Sequence, residues 1–385
     1  MAPAVALSLA WSALVACACA RVWASVRRPL PCATADPPPA RPTLVVRPCA
    51  GDEPRLAQAL RSTGRAVRSF PIAIRFAVAS SSDMAYPVAA TACDELVRDG
   101  LDARTVITGA VGPNRKADQI ARVIDHEPDL PAVIIVADSD VDLADFSLDE
   151  LVAPLAAERV AAAWSPPFEA EPRTFADRAS AAVLDASLHS FALLSVLDRH
   201  GMVGKLFCVR TSALMAVGGM GGLEDVLGED VELARRLRLA GFRTAAIAGA
   251  VRSLAQGRSL RQVVGRYARW IAVVRSQRPY LLPSYPLFFA AAPLLLVALA
   301  ATAAHGAGAA AAVVVVCRLG AAWMARRASG RPTTLVSLGV DAALADALLL
   351  AAFARATTTR RVLWRGAALR LSTRSKGRRL VGDGS

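Results

Sequence analysis

The sequence predicts an α/β protein with a mostly parallel sheet flanked by helices and with membrane segments at both ends. From residue 43 to about residue 250, short β-like runs alternate with amphipathic stretches. Apolar runs occupy residues 4–20 and much of the chain after residue 283. A βαβα rhythm is typical of a parallel sheet covered on both faces, and roughly twenty apolar residues are enough to span a bilayer.

The N-terminal apolar run predicts a retained membrane anchor. Arg21, Arg27 and Arg28 follow the run, whereas a secretory signal carries its positive charge before the apolar stretch. Positive charge concentrates on the cytoplasmic side of a span, so we expect the following residues in the cytoplasm. The Pro-rich stretch 29–42 then serves as a linker.

The central part of the chain alternates strand-like and helix-like segments. The predicted strands are 44–46, 72–78, 105–107 and 133–137, and the predicted helices are 52–61, 88–98 and 116–124. Ligands of such sheets bind beyond the carboxyl ends of the strands. A site is therefore expected directly after residue 137.

The end of the chain is strongly apolar. Runs 287–304 and 309–324 each approach the length of a membrane span, but a third run, 335–353, contains Asp341 and Asp346. Because carboxylates are costly in contact with lipid, we expect this run to be re-entrant or interfacial, with a basic cytoplasmic tail. The predicted domains are an anchor 1–28, a linker 29–42, a cytoplasmic α/β domain 43–283 with an interfacial helix near 259–275, membrane helices 284–354 and a tail 355–385.

Composition narrows the classes of partner. The 385 residues carry 45 Lys and Arg against 32 Asp and Glu, a net charge of +13. Such a surface attracts nucleic acid, anionic lipid or phosphorylated substrates, or it reflects compositional bias with solvated faces. Aromatic residues are few and do not interleave with the basic tail, so no nucleic acid is expected. The seven cysteines form no C-x-x-C pair, which argues against a disulfide framework and a zinc site.

Two carboxylates at the end of a buried strand are candidates for binding a divalent cation. Asp138 and Asp140 follow the apolar run 133–137 and point the same way on an extended segment. Carboxylate oxygens are preferred ligands of Mg²⁺, and Mg²⁺ or Mn²⁺ here would bridge a diphosphate and neutralise a leaving group. The alternative is a solvated turn at the end of the strand.

Two further polar segments open helix-like stretches. Asp230, after Glu229, has the character of a base that takes a proton from an attacking hydroxyl, although acidic residues at a helix N-terminus are equally a capping device. Asn114 and Lys116 lie in a turn suited to binding phosphate through backbone N–H groups and the lysine. A turn with solvated basic residues explains the same pattern.

Arg266, Arg269 and Trp270 predict a clamp for an anionic, bulky ligand. The two arginines lie one helical turn apart and share a face. Arginine makes forked contacts with phosphate, and tryptophan covers a sugar or stacks on a guanidinium. The alternative is an interfacial helix with its tryptophan in the aromatic belt, and both interpretations are compatible.

The ordered set of motifs resembles the membrane glycosyltransferases of the ceramide glucosyltransferase group and the bacterial hopanoid-linked N-acetylglucosaminyltransferases. No single motif is specific for this group, but the ordered set is specific, and it extends from about residue 46 to residue 371. The motifs are Gly112-Pro113-Asn114-Arg115-Lys116, Asp138-Ser139-Asp140, Gly204-Lys205, Gly228-Glu229-Asp230, Arg266-x-x-Arg269-Trp270 and Trp364-Arg365-Gly366.

The resemblance implies a GT-A fold and the inverting transfer of a hexose or N-acetylhexosamine from a UDP-sugar to a lipid hydroxyl, ceramide-like or hopanoid. The family's acidic cluster near the uridine falls on Ser80-Ser81-Ser82-Asp83, where Asp83 alone is acidic. We take Asp230 as the catalytic candidate and Asp138 and Asp140 as metal ligands. The substrate-binding candidates are Asp83, Asn114, Lys116, Asp138, Glu229, Arg266, Arg269 and Trp270.

The expected partners are a UDP-sugar donor, a membrane lipid acceptor and the bilayer, with Mg²⁺ or Mn²⁺ as cofactor. The expected location is the bacterial inner membrane, with the catalytic domain facing the cytoplasm. Two rival functions remain. A processive polysaccharide synthase shares the motifs but needs a polymer channel, usually lined by more helices. A membrane scaffold with a decayed transferase domain is consistent with Ser80 and Ser82.

Overall fold

The chain forms two compact units. The computed structural model describes residues 3–26, 43–187, 201–302, 304–328, 333–358, 361–364, 367–371 and 380–382. The predicted linker 29–42 lies outside these residues, as do residues 359–360, 365–366, 372–379 and 383–385 of the predicted tail. We call Met1–Arg28, Pro172–Asp198 and Gly257–Arg360 the helical unit, and Pro29–Glu171, Arg199–Gln256 and Arg361–Ser385 the sheet unit.

The strands all lie in the sheet unit. They are β1 (Thr43–Pro48), β2 (Ile72–Val78), β3 (Asp102–Ile107), β4 (Val133–Ala137), β5 (Val141–Asp142), β6 (Val160–Trp164), β7 (Pro167–Glu169), β8 (Leu206–Arg210), β9 (Arg243–Ala246), β10 (Val251–Ser253), β11 (Arg361–Trp364), β12 (Ala367–Leu371) and β13 (Leu380–Gly382).

A seven-stranded sheet in the order β3-β2-β1-β4-β8-β6-β9 forms the core of this unit. Neighbouring strands are parallel except at β8, which is antiparallel to both β4 and β6. β1 and β2 are buried throughout, as expected of central strands covered on both faces. The predicted fold class, a mostly parallel sheet flanked by helices, is confirmed.

Thirteen α-helices occur in the described part of the chain. They are α1 (Pro3–Val26), α2 (Leu56–Arg61), α3 (Ala85–Arg98), α4 (Arg115–His126), α5 (Leu148–Val152), α6 (Phe175–Ala186), α7 (Thr211–Ala216), α8 (Glu229–Leu239), α9 (Leu260–Gln277), α10 (Ser284–Phe289), α11 (Ala291–Ala300), α12 (Ala307–Ala328) and α13 (Leu335–Thr358).

The predicted elements agree closely with these bounds over the first half of the sheet. β2 and β4 have the predicted limits, and β1 and β3 are longer than expected. The helix expected from residue 52 begins only at Leu56, because Arg55 before it is left-handed, with φ 61°. Strands β5 and β10 pair antiparallel beyond the end of β4, and this pairing brings Ser253 next to the carboxylates described below.

The helical unit contains the helices that are long and apolar enough to cross a membrane. In the described part of the chain these are α1, α12 and α13, and the bent pair Pro279–Phe289 and Ala291–Ala300, with a 46° bend, raises the number to four if it counts as one span. Trp11 and Val15 of α1 pack against Val314 and Ala321 of α12. The N-terminal helix is therefore part of a helix bundle, and its role as a membrane anchor stays a prediction.

The two aspartates of α13 are paired inside the helical unit. Asp341 accepts from Arg178 Nε at 2.9 Å and also contacts Arg326, and Asp346 forms a forked pair with Arg318 at 2.8 and 3.0 Å. Both carboxylates are paired with arginine and largely buried, with side chains 9% and 12% exposed, so the cost of exposing them to lipid no longer argues for a re-entrant or interfacial segment. α13 is a continuous helix of 24 residues, long enough to cross a bilayer.

Candidate active site

The turn that follows β4 carries the paired carboxylates to the carboxyl edge of the sheet. Asp138 N donates to Lys205 O at 2.9 Å, and Leu254 N donates to Asp140 O at 2.7 Å. These contacts attach the turn to the segment before β8 and to the end of β10. The position of Asp138 and Asp140 is therefore determined by three strands, not by the turn alone.

A buried arginine lies beneath the same turn. Arg47, at the end of β1, is fully buried. Its Nη2 donates to Asp138 O at 2.9 Å and to Val141 O, and its Nη1 donates to Thr63 Oγ1 at 2.8 Å. Burial lowers the pKa of Arg47 to about 10, so the group remains charged at neutral pH. A permanent positive charge thus supports the turn that holds the carboxylates.

Asp140 is engaged by a lysine and a serine. Lys205 Nζ contacts both of its carboxylate oxygens, and Ser253 Oγ donates to Oδ2 at 2.8 Å. The same Nζ lies 3.6 Å from Asp138 Oδ2. Both carboxylates of the motif therefore converge on one cationic group.

Lys116, near the start of α4, connects the carboxylate pair to the acidic residues of α8. Its Nζ lies 2.7 Å from Asp138 Oδ1 and 3.0 Å from Glu229 Oε1, and it donates to Gly204 O at 2.7 Å. Burial opposes the charge of Lys116, but Asp138, Glu229 and Asp230 together raise its pKa above its usual value. Lys116 is thus an internal counter-ion between the two acidic motifs.

Asn114 holds Glu229 in place. Its Nδ2 donates to Glu229 Oε2 and to Val226 O, both at 3.0 Å, and its Oδ1 caps α4 by accepting from Ala117 N. Burial favours the neutral form of Glu229, but Lys116 and the Asn114 amide lower its pKa below the usual value. Glu229 is therefore ionised, and it shares Lys116 with Asp138.

The turn before α4 uses its backbone N–H groups within the protein. Val111 N and Gly112 N donate to Asp118 Oδ2 at 2.8 and 2.9 Å, and Asn114 N donates to Glu224 O at 2.7 Å. This turn orients the Asn114 and Lys116 side chains and does not offer these N–H groups to phosphate. The predicted role of the two side chains in substrate binding stays a prediction.

Asp230 lies at the first turn of α8 beside Gly204. Gly228 precedes the helix with φ 80°, a left-handed conformation that glycine adopts without steric cost. Gly204 N donates to Asp230 Oδ2 at 2.6 Å. Burial, and then the charge of Glu229, raise the pKa of Asp230 to about 6, against the opposing effect of Lys116. A carboxylate with this pKa is well matched to accepting a proton near neutral pH.

The cluster carries more negative than positive charge. Asp138, Asp140, Glu229 and Asp230 face Lys116 and Lys205, with Arg47 beneath. In the described residues no group of three or more His, Cys, Asp or Glu side chains is placed to hold a metal ion. Asp138 and Asp140 nevertheless both approach the Lys205 ammonium group. Their hard oxygen atoms suit Mg²⁺ or Mn²⁺. The pair therefore fits a divalent ion as two of its ligands.

Asp83 lies beyond the end of β2. Its Oδ1 accepts from Gly51 N, after β1, at 2.7 Å and from Ala85 N, at the start of α3, at 2.9 Å. Ser80 Oγ and Ser82 Oγ are hydrogen-bonded to each other at 2.8 Å. Asp83 therefore connects the carboxyl ends of two neighbouring parallel strands, and its contact with a nucleotide stays a prediction.

The arginine and tryptophan cluster lies on α9 of the helical unit. The Arg266 guanidinium lies 4.8 Å from the Trp270 ring centroid, a cation–π distance. Tyr267 is buried and donates to Ser180 O of α6 at 2.8 Å. Arg269, like Arg266 and Trp270, is half-buried. The structure thus orders this motif inside a helical packing, and its predicted role in binding substrate stays a prediction.

Sequence reasoning gave no role to Arg47, Lys205 or Ser253. Arg47 had a detectable signal, since an arginine directly after the apolar Val45-Val46 is unusual in a central strand. Lys205 belonged to a recognised motif, but its contact with Asp140 depends on the antiparallel pairing of β8 with β4. Ser253 is far from Asp140 in sequence, and no local pattern indicates their contact.

Comparison with known proteins identifies the class of the protein as a glycosyltransferase. The chain belongs to glycosyl transferase family 21, whose family model matches residues 4–377. This match confirms the resemblance that the ordered motifs predicted. No curated protein matches the sequence.

Several solved structures are similar over part of the chain. Glucosyl-3-phosphoglycerate synthase from Mycobacterium tuberculosis with phosphoglyceric acid is 17% identical, with a TM-score of 0.38, over 62% of this chain and 80% of that one. The same enzyme with Mn²⁺, UDP and glucosyl-3-phosphoglycerate is 18% identical, with a TM-score of 0.36 over the same shares. A mycobacterial protein is 17% identical, with a TM-score of 0.39, over 62% and 74%. The likeness is remote, so the family match alone identifies the class.

Proposed function

We propose that this glycosyltransferase moves a hexose or N-acetylhexosamine from a UDP-sugar to the hydroxyl of a membrane lipid, with inversion at the anomeric carbon. The observation that carries the proposal is the convergence of Asp138, Lys116 and Asp230 around Gly204. Lys116 contacts Asp138 and the Gly204 carbonyl, while the Gly204 N–H contacts Asp230. A diphosphate-binding motif and a candidate base are thus joined through one peptide group.

Asp230 is the proposed general base. It accepts the proton of the acceptor hydroxyl as the hydroxyl oxygen attacks the anomeric carbon, and the sugar–phosphate bond breaks on the opposite side. A single displacement of this kind inverts the configuration and needs no nucleophile from the protein. The raised pKa of Asp230 supports the role, since a stronger base takes the proton more readily at neutral pH.

Asp138 and Asp140 are the proposed holders of a divalent cation. When bound, Mg²⁺ or Mn²⁺ supplies positive charge to the departing diphosphate. The residual negative charge of the cluster supports this assignment, because such a surface repels a diphosphate unless a cation accompanies it. Lys116 and the buried Arg47 keep Asp138 oriented for that contact.

The long apolar helices are the support for a lipid acceptor. α1, α12 and α13 are each long and apolar enough to cross a bilayer, and we propose that the acceptor reaches the site from the membrane. Arg266, Arg269 and Trp270 are proposed contacts of the donor or of the acceptor head group. We also propose that the protein lies in the bacterial inner membrane, with its sheet unit facing the cytoplasm.

The test is transfer by the purified full-length protein in nanodiscs. UDP-glucose and UDP-N-acetylglucosamine are supplied separately with ceramide or with a hopanoid alcohol. Products are identified by mass, and the anomeric configuration is determined by NMR. We expect a monoglycosylated lipid of inverted configuration that requires Mg²⁺ or Mn²⁺. A polymer would favour a processive synthase, and absence of both transfer and UDP-sugar hydrolysis would favour a decayed scaffold. Asp230→Asn should abolish transfer in the same assay.

A further inference from the structure

Lys205 lies where both carboxylates of the proposed metal motif meet. Its Nζ contacts the two oxygens of Asp140 and approaches Asp138 Oδ2 to 3.6 Å. The side chain of Lys205 is 12% exposed and that of Asp140 is 7% exposed. The ion pair is therefore largely shielded from water, where a charge–charge contact is stronger than on the surface.

The oxygens of Asp140 are engaged while Lys205 stays in place. Lys205 contacts each of them, and Ser253 Oγ also donates to Oδ2 at 2.8 Å. A divalent cation needs direct contact with its oxygen ligands, at roughly 2.0–2.1 Å for Mg²⁺. It also repels an ammonium group at the same point. A metal ion that binds Asp140 must therefore displace Lys205.

Displacing Lys205 without a new partner is unfavourable. A cation left in a partly buried position without a counter-charge carries a large energetic cost. A diphosphate that arrives with the metal brings negative charge and removes this cost, because the freed ammonium can pair with phosphate oxygen. The backbone of Lys205 stays fixed, since its carbonyl accepts from Asp138 N at 2.9 Å, and only the flexible side chain has to move.

We propose that Lys205 is the resident counter-ion of the Asp138 and Asp140 pair, and that a divalent cation binds there tightly only together with a nucleoside diphosphate. This inference rests on the proposed function, because it assumes a diphosphate ligand at the same site. Linkage makes the effect reciprocal: the factor by which UDP tightens metal binding is the factor by which the metal tightens UDP binding. The lysine thereby limits metal loading in the absence of donor.

The test measures Mn²⁺ binding to the full-length protein in nanodiscs by the EPR signal of free Mn²⁺, with and without UDP. The wild type should bind Mn²⁺ weakly alone and much more tightly with UDP. Lys205→Met should bind Mn²⁺ alone about tenfold or more tightly than the wild type, because a nearby positive charge has been removed. The increase in Mn²⁺ affinity caused by UDP should be smaller in that variant than in the wild type. Lys205→Arg keeps the charge and should retain the weak binding of metal alone.

Equal Mn²⁺ affinities of the wild type and Lys205→Met without UDP would overturn the inference, as would weaker binding by the variant. Thermal unfolding checks that the variant folds, and Lys205→Gln replaces it if it does not. Asp140→Asn separates the two proposals. If Asp140→Asn binds Mn²⁺ and UDP like the wild type, the donor site itself is misplaced. If Asp140→Asn loses Mn²⁺ binding while Lys205→Met binds Mn²⁺ with the wild-type affinity, only the proposed role of Lys205 is wrong.

Discussion

Each of the two compact units contains a buried cluster of charged side chains, and the two clusters differ in charge balance. In the helical unit, Arg318 forms a forked pair with Asp346, and Arg178 and Arg326 both contact Asp341. Around these two carboxylates the guanidinium groups match or exceed the carboxylates in number. In the sheet-unit cluster the carboxylates exceed the positive groups, even with Arg47 included. Asp138, Asp140, Glu229 and Asp230 face Lys116, Lys205 and Arg47.

This difference distinguishes ion pairs that stabilise helix packing from a charged cluster that is suited to binding a ligand. Arg318 also donates to Ala186 O at 2.8 Å and to Ala342 O at 3.0 Å, so its guanidinium joins three helices without requiring a further partner. An excess of negative charge in a partly buried site is destabilising. A bound cation neutralises this excess. The ion pairs inside the helix bundle therefore serve a structural role, while the unbalanced cluster is the candidate functional site.

Removing the proposed base should have the largest effect. Asp230→Asn keeps the size of the side chain but cannot accept the acceptor's proton, so kcat should fall by about 10²–10⁴-fold. UDP-sugar binding, measured by calorimetry, should change little. Glu232→Gln on the same helix is the control, since Glu232 pairs with Arg235 and Arg236. Unchanged turnover of Asp230→Asn would remove Asp230 from its role.

Breaking a balanced pair should affect stability and not chemistry. Arg318→Met leaves Asp346 buried without its partner, which should cost about 3–5 kcal/mol of unfolding free energy. Thermal unfolding in detergent measures the change, and the double variant Arg318→Met with Asp346→Leu should recover most of it. Arg327→Met is the matched control, because Arg327 on the same helix is exposed and lies over Trp323. If Arg318→Met unfolded at the same temperature as the wild type, the structural role of this pair would be contradicted.

The peptide between the two acidic motifs should tolerate no side chain. A Cβ added at Gly204 would lie 3.0 Å from Asp230 Oδ2 and 3.1 Å from Lys116 Nζ. Overpacking of this kind costs about 1–3 kcal/mol, so Gly204→Ala should lower kcat by about tenfold or more by shifting the base. At Gly221 the nearest atom to an added Cβ is 3.7 Å away, and Gly221→Ala should transfer at the wild-type rate. Equal rates in the two variants would show that this close approach is unimportant.

The pH dependence should show the smallest but most diagnostic change. Asp230 acts as a base only when deprotonated, and its pKa is raised to about 6 by burial and by Glu229. The kcat should therefore fall about tenfold per pH unit below pH 6 and level off above it. Glu229→Gln removes a neighbouring negative charge, so the midpoint should move to lower pH. A flat profile through pH 6 would contradict the assignment.

Local patterns predicted much of the sheet and of the site, and long-range contacts account for the rest. β4 and the residues after it were predictable because an apolar run ends in two aspartates. The contact of Lys205 with Asp140 was not, since it depends on an antiparallel strand inserted beside β4. Lys116 was expected at phosphate, but a local pattern cannot distinguish a solvated lysine from one paired with Asp138 and Glu229. The pairing of Asp341 and Asp346 likewise arises from helix packing.

The most direct test of the account is an experimental structure of the full-length protein with UDP and Mn²⁺. The account predicts anomalous signal for Mn²⁺ at the carboxylates of Asp138 and Asp140, with the diphosphate beside it and Lys205 moved from Asp140 onto phosphate. Asp230 should face the end of the diphosphate from which the sugar departs. UDP bound elsewhere on the sheet unit, or Mn²⁺ bound away from both aspartates, would contradict it.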